Sequence, residues 1–521
     1  MGYDIVIKNG RVLDGTGNPW FYADIGVKEG KIAELGKVDD GEKVIDASGH
    51  IVAPGFIDIH SHSDLPILID PMAQSKVRQG VTTEVIGQCG NSAAPMNTWV
   101  KEYRNKYNRN RVPDDFEFNW SSMKRYMERI DRQGSAVNIA PVVGHGTVRM
   151  NIMGYENREP SNSELDDMRN LVRETMKEGA WGMSTGLIYP PSVYGKQPEI
   201  TELAKVVSEF DGVYFSHIRG EGDTLLDAVT EACEIGRDSG TRVQIAHFKA
   251  SGRNNWGRTK ESLALVKKYR DEGVEVTFDQ YPYIASSTGL AALLPHWSQE
   301  GGASKLLEYL GDPTMRKKMA EDMRSSYHWD EILVTNAKHH PQYNGKNLQQ
   351  VAEMMGKEPI TAYFDLLEME NTQVPSVMFG MNEDDVRRVM QSPYMMVGSD
   401  GSAIAPSGIW ANNVPHPRLY GTFPRVIGYY VREGVLTLQE AVRKMTGAPA
   451  QKLGFKDRGL IKKGLKADIT VFDPEKVEDV ATFTDPQRYA AGIPYVIVNG
   501  ELVIEKNDHT GKLPGMALRK K

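Results

Sequence analysis

The sequence contains few cysteines, no long apolar run and no large excess of one charge. Its 521 residues include only two cysteines, Cys89 and Cys233, which excludes a disulfide framework and is typical of a reducing compartment. No stretch approaches the roughly 18 consecutive apolar residues that a membrane-spanning helix needs. The first residues, MGYDIVIKNG, lack an export or lipidation signal. We therefore expect a cytoplasmic protein without a membrane partner.

The charge balance also excludes a class of partner. The chain has 62 Lys and Arg against 69 Asp and Glu, a net charge of −7. A polyanion would require a basic surface, so we expect no nucleic acid as a partner and a small molecule as the substrate. No sequence feature indicates a protein partner. The length exceeds what one hydrophobic core usually supports, which predicts a large domain and at least one smaller one.

The two ends of the chain share one pattern. Residues 4–55 and 456–505 consist of short apolar runs separated by turn residues, including Asn9-Gly10 and Asn499-Gly500. Asn-Gly between apolar runs is a strong signal for a β-hairpin, so we expect antiparallel strands at both ends. We predict one small β-sandwich built from residues 1–54 and 450–521.

The middle of the chain alternates short apolar runs with helical patterns, which is typical of parallel βαβ units. A (β/α)₈ barrel, an α/β fold, is therefore predicted for residues 55–449. Its eight expected strands are Phe56–Ile59, Thr83–Ile86, Val137–Val143, Gly182–Ser184, Val213–Phe215, Val243–Ala246, Val276–Phe278 and Met395–Val397. More than 100 residues separate the last two, and we predict a lid at residues 284–375.

One helix between these strands shows how the others are expected to pack. Leu165, Met168, Val172 and Met176 recur at helical spacing, with Ser163 as the expected N-cap and Gly179 as the expected stop. We expect this helix to lie outside the barrel.

Six side chains of metal-binding type follow five of the predicted strands. Barrel enzymes place their catalytic groups at these carboxyl ends, and buried imidazoles or carboxylates without partners are costly. The pattern therefore predicts a metal centre, and thiolate with imidazole favours zinc. One cysteine and two histidines leave a fourth position open for water, and a nearby carboxylate such as Asp400 is suited to move its proton. The six are His60, His62, Cys89, His217, His247 and Asp400.

Competing patterns have less support. Gly182-Met183-Ser184-Thr185-Gly186 matches the nucleophile elbow of serine hydrolases, but Pro190 and Pro191 oppose the helix that must follow it. Cys233 lies on an apolar helical stripe and is expected in the core. Neither a dinucleotide fingerprint nor a phosphate-binding loop is present.

Further polar residues are candidates for binding substrate. Lys249, Tyr281, Ser287 and Arg418 each follow a predicted strand or its loop, and an arginine offers a two-pronged contact to a carboxylate. His145 follows the third strand, where we expect it to orient its neighbours.

Several motifs together resemble the metal-dependent amidohydrolase superfamily and, within it, the N-acyl-D-amino-acid deacylases. They are GFIDIHSHSD, GVTTEVIGQCGNSAAP, GMSTGLIYPP, FSHIRGE, DQYPYIASST, GSDG, HPRLYGTFPR and GIPYVIVNGE. The resemblance implies a tight zinc site at Cys89, His217 and His247, a weaker second site at His60 and His62, and Asp400 as catalytic acid/base. It also implies that Arg418, Tyr281, Ser287 and Lys249 hold a substrate carboxylate, with Tyr189 nearby.

The expected activity is zinc-dependent hydrolysis of N-acyl-D-amino acids. The D-configuration follows only from the resemblance. A cyclic-amide hydrolase similar to hydantoinase or dihydroorotase, and a catalytically inactive scaffold protein, remain alternatives. Apolar Leu293 and Leu294 favour substrates with an uncharged side chain. The segment SAIAPSGIWANNVP, after the GSDG motif, is longer than in similar sequences and is expected to reshape the entrance to the site.

Overall fold

The computed structural model describes residues 2–108, 112–323 and 327–521, so residues 324–326 of the predicted lid lie outside it. The strands are β1 (Tyr3–Lys8), β2 (Arg11–Val12), β3 (Phe21–Tyr22), β4 (Asp24–Lys28), β5 (Lys31–Gly36), β6 (Gly41–Asp46), β7 (Ile51–Pro54), β8 (Phe56–Asp58), β9 (Val81–Ile86), β10 (Asn138–Pro141), β11 (Val143–Gly144), β12 (Gly182–Gly186), β13 (Val213–His217), β14 (Arg242–Ile245), β15 (Val276–Gln280), β16 (Ser286–Gly289), β17 (Ile332–Val334), β18 (Pro375–Met378), β19 (Met395–Val397), β20 (Ile469–Phe472), β21 (Tyr495–Val498), β22 (Glu501–Glu505) and β23 (Asp508–His509).

The α-helices are α1 (Pro66–Ile69), α2 (Gln74–Val77), α3 (Thr98–Tyr107), α4 (Met123–Gln133), α5 (His145–Met153), α6 (Asn162–Lys177), α7 (Gln197–Ser208), α8 (Leu225–Ser239), α9 (Thr259–Asp271), α10 (Gly302–Leu310), α11 (Pro313–Asp322), α12 (Leu348–Met355), α13 (Pro359–Met369), α14 (Glu383–Met390), α15 (Arg418–Arg425), α16 (Leu438–Met445) and α17 (Gly447–Leu453). A π-helix at Val426–Val431 continues α15. Short 3₁₀ helices occur at Ser192–Tyr194, Arg253–Asn255, Leu290–Leu293, His296–Gln299, Trp329–Glu331, Pro341–Tyr343 and Gly408–Trp410.

Both ends of the chain contribute strands to the same sheet. A four-stranded sheet has the order β5-β4-β1-β6, and a seven-stranded sheet has the order β23-β22-β21-β20-β7-β2-β3. The second sheet joins the termini where β20 pairs antiparallel with β7. Apolar side chains of both sheets, such as Ile7, Ile25 and Ile497, form one buried cluster.

The expected antiparallel pattern at the ends is only partly correct. Asn499 and Gly500 have φ of 49° and 87° and connect β21 to β22 as the predicted hairpin. Asn9-Gly10 instead leads the chain from one sheet to the other, and both β1–β6 and β2–β7 are parallel pairs. A turn signal marks where the chain changes direction, but the strand's partner depends on contacts with distant residues.

The middle of the chain is the predicted parallel α/β arrangement. Parallel strands form a sheet of order β10-β9-β8 and another of order β11-β12-β13-β14-β15-β19. Seven of the eight predicted strands lie within two residues of their expected ends. The third is divided at Val142 into β10 and β11, which belong to different sheets.

The segment between β15 and β19 has a hydrophobic core of its own. Strands β16, β18 and β17 form an antiparallel sheet, and α10 to α13 surround it. A separate buried cluster, which includes Leu290, Leu310, Val334 and Tyr363, fills this segment. Because the segment packs around its own core, it is a compact unit and not a loose loop.

Helix α6 begins at a different cap from the one predicted. Ser161, and not Ser163, is its N-cap: the Ser161 hydroxyl accepts from the backbone N–H of Glu164, whose carboxylate accepts from the N–H of Ser161. This reciprocal pair satisfies two donors at once, which favours the earlier start. Met168, Val172 and Met176 are buried as predicted, and Gly179, with φ of 111°, follows the helix end.

Among the described residues, no helix is both long and apolar enough to cross a membrane.

Candidate functional site

The predicted metal-binding side chains lie together at one edge of the parallel strands. His60 and His62 follow β8, Cys89 follows β9, and His217 is the last residue of β13. His247 and Asp400 come two and three residues after β14 and β19. Since parallel strands all end at the same edge, side chains that are up to 340 positions apart in the sequence meet there.

Cys89, His217 and His247 form a tight triangle of donor atoms. Cys89 Sγ lies 3.4 Å from His217 Nδ1 and 3.7 Å from His247 Nε2, and the two nitrogens are 2.9 Å apart. A tetrahedral zinc with bonds of about 2.0–2.1 Å to nitrogen and about 2.3 Å to sulfur separates such donors by roughly 3.3–3.6 Å. The donor types therefore fit one zinc ion, and the three separations lie within about 0.5 Å of this range.

The thiol in this triangle is suited to ligation. Burial alone raises the pKa of Cys89, but the neighbouring His60 and His217 outweigh it and hold that pKa well below its usual range. The thiolate is the form of cysteine that binds metals. Cys233 behaves in the opposite way: burial raises its pKa to about 12, and it packs in the main hydrophobic core as predicted.

His60 and His62 both approach Asp400. His60 Nε2 lies 3.4 Å from Asp400 Oδ1 and His62 Nε2 lies 2.9 Å from the same oxygen. Burial lowers the pKa of His62, but Asp400 and Cys89 raise it to about 9. Burial would raise the pKa of Asp400, yet Arg418 and His60 hold it well below its usual range. His60 Nε2 is also 3.4 Å from Cys89 Sγ, so the two groups of donors adjoin.

Two carboxylates orient these histidines, and neither was predicted from the sequence. Asp279 Oδ1 lies 3.0 Å from His60 Nδ1 and accepts from the backbone N–H of His247. Glu221 Oε1 lies 2.8 Å from His247 Nδ1. A carboxylate that accepts from one ring nitrogen leaves the other free to bind a metal. Only their positions in the sequence could have indicated this role, because Asp279 lies in β15 and Glu221 follows His217 by four residues.

The N–H donors of Arg418 are only partly satisfied by protein acceptors. Its Nη1 lies 2.8 Å from Asp400 Oδ2, and its guanidinium carbon lies 4.7 Å from the centroid of the Tyr281 ring. Nη2 donates to the backbone carbonyl of Ser287. Arg418 is 4% exposed, yet within the described part of the chain neither its Nε nor its Nη1 has an aligned hydrogen-bond acceptor. A buried guanidinium N–H without an acceptor is costly, and an anion in the cavity would supply one.

The remaining substrate-binding candidates also lie in this region. The Lys249 ammonium donates to Glu221 Oε1 and to the carbonyl of His247, so it is already engaged by protein groups. Tyr281 is buried between Lys249 and Arg418. The Tyr189 hydroxyl lies 2.8 Å from Thr288 Oγ1, which joins the β12 loop to β16.

Ser184 and His145 form hydrogen bonds that stabilise segments around the site. The Ser184 hydroxyl accepts from the backbone N–H of Gly90 and donates to the carbonyl of Gly87, so it holds the loop that carries Cys89. Strand β12 continues to Gly186, which excludes a nucleophile elbow at Ser184. His145 lies 2.8 Å from Ser192 Oγ and 2.7 Å from Glu199 Oε1, an orienting network of the kind expected.

A cavity of about 430 Å³ lies above these groups. Cys89, His217, His247, Asp400 and Arg418 line it, together with residues of the segment between β15 and β19. A volume of this size is typical of sites for small-molecule substrates.

Comparison with known proteins shows the family to which the chain is similar. The model of the amidohydrolase family matches residues 43–244 and 344–504. An N-acyl-D-glutamate deacylase from Alcaligenes xylosoxydans xylosoxydans is 35% identical over 99% of this chain and 96% of its own length. A D-aminoacylase from the same organism is 34% identical over 99% and 97%.

A solved structure agrees with these relatives. The N-acyl-D-glutamate deacylase of Bordetella bronchiseptica, complexed with zinc and a phosphonate that mimics the tetrahedral intermediate, has a TM-score of 0.84 and 34% identity. The match covers all of both chains. The chain belongs to the amidohydrolase family and, within it, to the branch of the N-acyl-D-amino-acid deacylases.

Proposed function

We propose that this protein hydrolyses the amide bond of N-acyl-D-amino acids and releases a carboxylate and a free D-amino acid. The observation that carries the proposal is the triangle of Cys89, His217 and His247 beside Asp400 and the buried Arg418, whose Nε has no acceptor among the described residues. Such a site accommodates an amide whose amine half bears a carboxylate. The relatives' recorded activities support both the amide and the D-configuration.

In this proposal Cys89, His217 and His247 hold one zinc ion tightly, and His60 with His62 form a second, weaker site. Bound zinc supplies Lewis acidity toward the amide carbonyl and toward water. The orienting carboxylates Asp279 and Glu221 keep His60 and His247 in the tautomers that metal binding needs.

Asp400 is the proposed acid and base. Its carboxylate takes a proton from the attacking water as the new C–O bond forms at the amide carbon. It later gives that proton to the amine nitrogen as the C–N bond breaks. Arg418 binds the substrate carboxylate with its guanidinium group, whose Nε has no protein acceptor among the described residues. Tyr281, Ser287, Lys249 and Tyr189 line the space around it. This anchoring holds the amide beside Asp400.

The proposed architecture is a closed (β/α)₈ barrel at residues 55–449, a β-sandwich at 1–54 and 450–521, and a lid at 284–375. Backbone hydrogen bonds between the ends of β8 and β19 support closure: the N–H of Asp400 donates to His60 O, and that of His62 donates to Gly401 O. The lid's contribution to the cavity wall supports its role in covering the substrate.

We further propose that the preferred D-amino acids have uncharged side chains. The cavity wall in the lid includes Ala291, Ala292 and Leu306, and the adjacent Leu293 and Leu294 are also apolar. An acidic side chain against such a wall would lose its hydration. The lining cations Arg104 and Lys249 already donate to protein acceptors.

The decisive test combines zinc analysis with rates of hydrolysis. The purified protein should carry zinc and hydrolyse N-acetyl-D-amino acids, with little activity on the L-enantiomers. A panel that also contains hydantoin and dihydroorotate separates linear from cyclic amides. Preference for a cyclic substrate, or no hydrolysis after zinc addition, would refute the proposal.

Asp400→Asn tests the assigned proton carrier. The amide keeps the size of the side chain but cannot accept the proton, so we expect zinc content to stay unchanged while kcat falls at least about 100-fold, the lower end for general acid–base catalysis. Substantial residual deacylase activity in the zinc-loaded variant would contradict the role of Asp400.

A further inference from the structure

The substrate cavity continues into a second lobe that the reaction as described leaves unused. This lobe, of about 370 Å³, shares Asp400, Arg418 and Ser287 with the first lobe. On its own it reaches the lower end of the roughly 300–1,000 Å³ that ligand pockets occupy. An acetyl group at the scissile amide would leave most of it empty.

The positions of the polar groups indicate which half of the substrate each lobe binds. Lys249, Tyr281 and Tyr189 line only the first lobe, so the carboxylate-bearing half of the substrate belongs there. A trans amide places its acyl carbon chain and its amino-acid Cα on opposite sides of the C–N bond. With the amino acid in the first lobe and the amide beside Asp400, the acyl chain extends into the second.

One part of the wall of the second lobe is apolar. Leu65, Ile404, Ile409, Trp410 and Leu419 line it. Trp410 and Leu419 pack against the buried cluster of Ile404, Tyr420 and Ala481. Ile409 remains 40% exposed, although it is a large apolar side chain.

Charged residues also line the lobe, among them Asp64, Arg104 and Lys338. Asp64 accepts from the backbone N–H groups of Gly87 and Ala93, and Arg104 donates to the carbonyls of Ala93 and Ser92, so both already have protein partners. Lys338 is exposed, so an apolar chain can pass it without burying the ammonium group.

Trp410 is held in a defined position. It lies in the 3₁₀ helix Gly408–Trp410, within the segment that follows the GSDG motif. The Gln487 side-chain amide donates to the carbonyls of Trp410 and Asn413, at 2.6 and 2.8 Å, and so fixes this segment against the C-terminal part of the chain. The backbone at Trp410 is therefore held in place, and its side chain packs against the buried cluster beside the lobe.

We propose that this second lobe is an acyl subsite that selects long, apolar acyl groups over acetyl, with Trp410 as its specificity-determining residue. The inference rests on the proposed deacylase function and adds the substrate class. Each methylene buried against this wall contributes about fourfold, the equivalent of about 0.8 kcal/mol.

The test measures kcat/KM along the series N-acetyl, N-butanoyl, N-hexanoyl and N-octanoyl on one D-amino acid, the one whose N-acetyl derivative reacts fastest. We expect the octanoyl compound to exceed the acetyl compound at least tenfold. Trp410→Ala should lower this octanoyl-to-acetyl ratio at least fivefold, and Trp410→Phe should lower it less. Trp20→Ala, which removes an exposed indole on the terminal sheet, is the matched control and should leave the ratio unchanged.

The outcomes separate the subsite from the function. Hydrolysis of the acetyl compound without a gain from longer chains would overturn the acyl subsite and leave the deacylase function standing. An unchanged ratio in Trp410→Ala, with an altered preference among D-amino acid side chains, would assign the lobe to the amino acid instead. Failure to hydrolyse any member of the series would overturn both proposals.

Discussion

At the residue scale, the site uses backbone conformations that the sequence does not reveal. Cys89, His247 and Asp400 have φ of 53°, 33° and 50°, in the left-handed region that non-glycine residues seldom occupy. Each follows its strand within three residues, so the chain turns sharply as it leaves the sheet. Strain of this kind persists only where the surrounding structure enforces it, and it is typical of functional sites.

The two cysteines allow a direct test of the metal site. We expect Cys89→Ala to lower zinc affinity by more than the roughly 10–100-fold lost when an orienting partner is removed, because it deletes a ligand itself. Cys233→Ala should retain zinc, since its thiol is packed in the core and its pKa is raised. Metal analysis after dialysis against a weak chelator measures both.

Two other outcomes for zinc content have different meanings. Full zinc content in Cys89→Ala would contradict the ligand assignment, and zinc loss in both variants would indicate a general effect of destabilisation. Circular dichroism of the two proteins distinguishes these cases.

At the scale of elements, the sequence predicts strands better than their partners. A run such as that of β19 is identifiable because strand-forming residues are contiguous, and its predicted bounds coincide with the observed ones. The parallel pairing of β1 with β6, and the division between β10 and β11, depend on residues far away in the chain. Local pattern cannot encode these contacts.

The corrected cap of α6 yields a controlled prediction. Ser161→Ala should destabilise the first turn by about 1 kcal/mol, because the backbone N–H of Glu164 loses its side-chain acceptor. Ser163→Ala, a substitution at an exposed position inside the same helix, should have little effect. Hydrogen exchange of peptides spanning the start of α6 reports the difference. Equal protection in both variants would show that the capping box contributes nothing.

Lys452 of α17 gives a pH-dependent prediction. Burial lowers the pKa of this lysine to about 7, so below pH 7 the folded protein must carry a desolvated ammonium. The unfolded chain keeps the ordinary pKa near 10.4 and binds more protons between these values. By linkage, the contribution of Lys452 to stability rises from about pH 7 to 10, by at most about 1.4 kcal/mol per pH unit.

The variant Lys452→Met isolates this contribution. Relative to the parent protein it should be most stabilised at pH 6 to 7, and its advantage in Tm should shrink steadily toward pH 10. The hydrogen bond from Lys452 to the carbonyl of Glu275 is lost at every pH, so it shifts the difference without changing its slope. A Tm difference that does not vary with pH would refute the lowered pKa.

At the scale of the whole molecule, topology brings the site together. Because strand ends of a parallel fold share one edge, the sequence alone predicts that residues near positions 60, 89, 217, 247 and 400 meet. The sequence does not indicate that Asp279 and Glu221 orient histidines. Acidic residues near strand ends are common, and only the distance to a histidine reveals this role. The second lobe at Trp410 also depends on packing between distant segments.

The proposed lid, the segment between β15 and β19, contacts the parallel strands beside the site. The hydrogen bond between Tyr189 and Thr288 joins the β12 loop to β16 above His217, whose ring centre lies 5.0 Å from that of Tyr189. If this bond positions the cavity wall, Tyr189→Phe and Thr288→Val remove the same interaction. Each should raise KM about fivefold, the equivalent of about 1 kcal/mol for a neutral hydrogen bond, with kcat nearly unchanged.

The double variant decides between positioning and direct contact with substrate. Two changes that delete one shared bond are not additive, so the double variant should resemble either single variant. If the Tyr189 hydroxyl instead contacts the substrate, Tyr189→Phe will cost more than Thr288→Val and the two effects will add. The cycle therefore measures how far the lid and the parallel strands act as one binding surface.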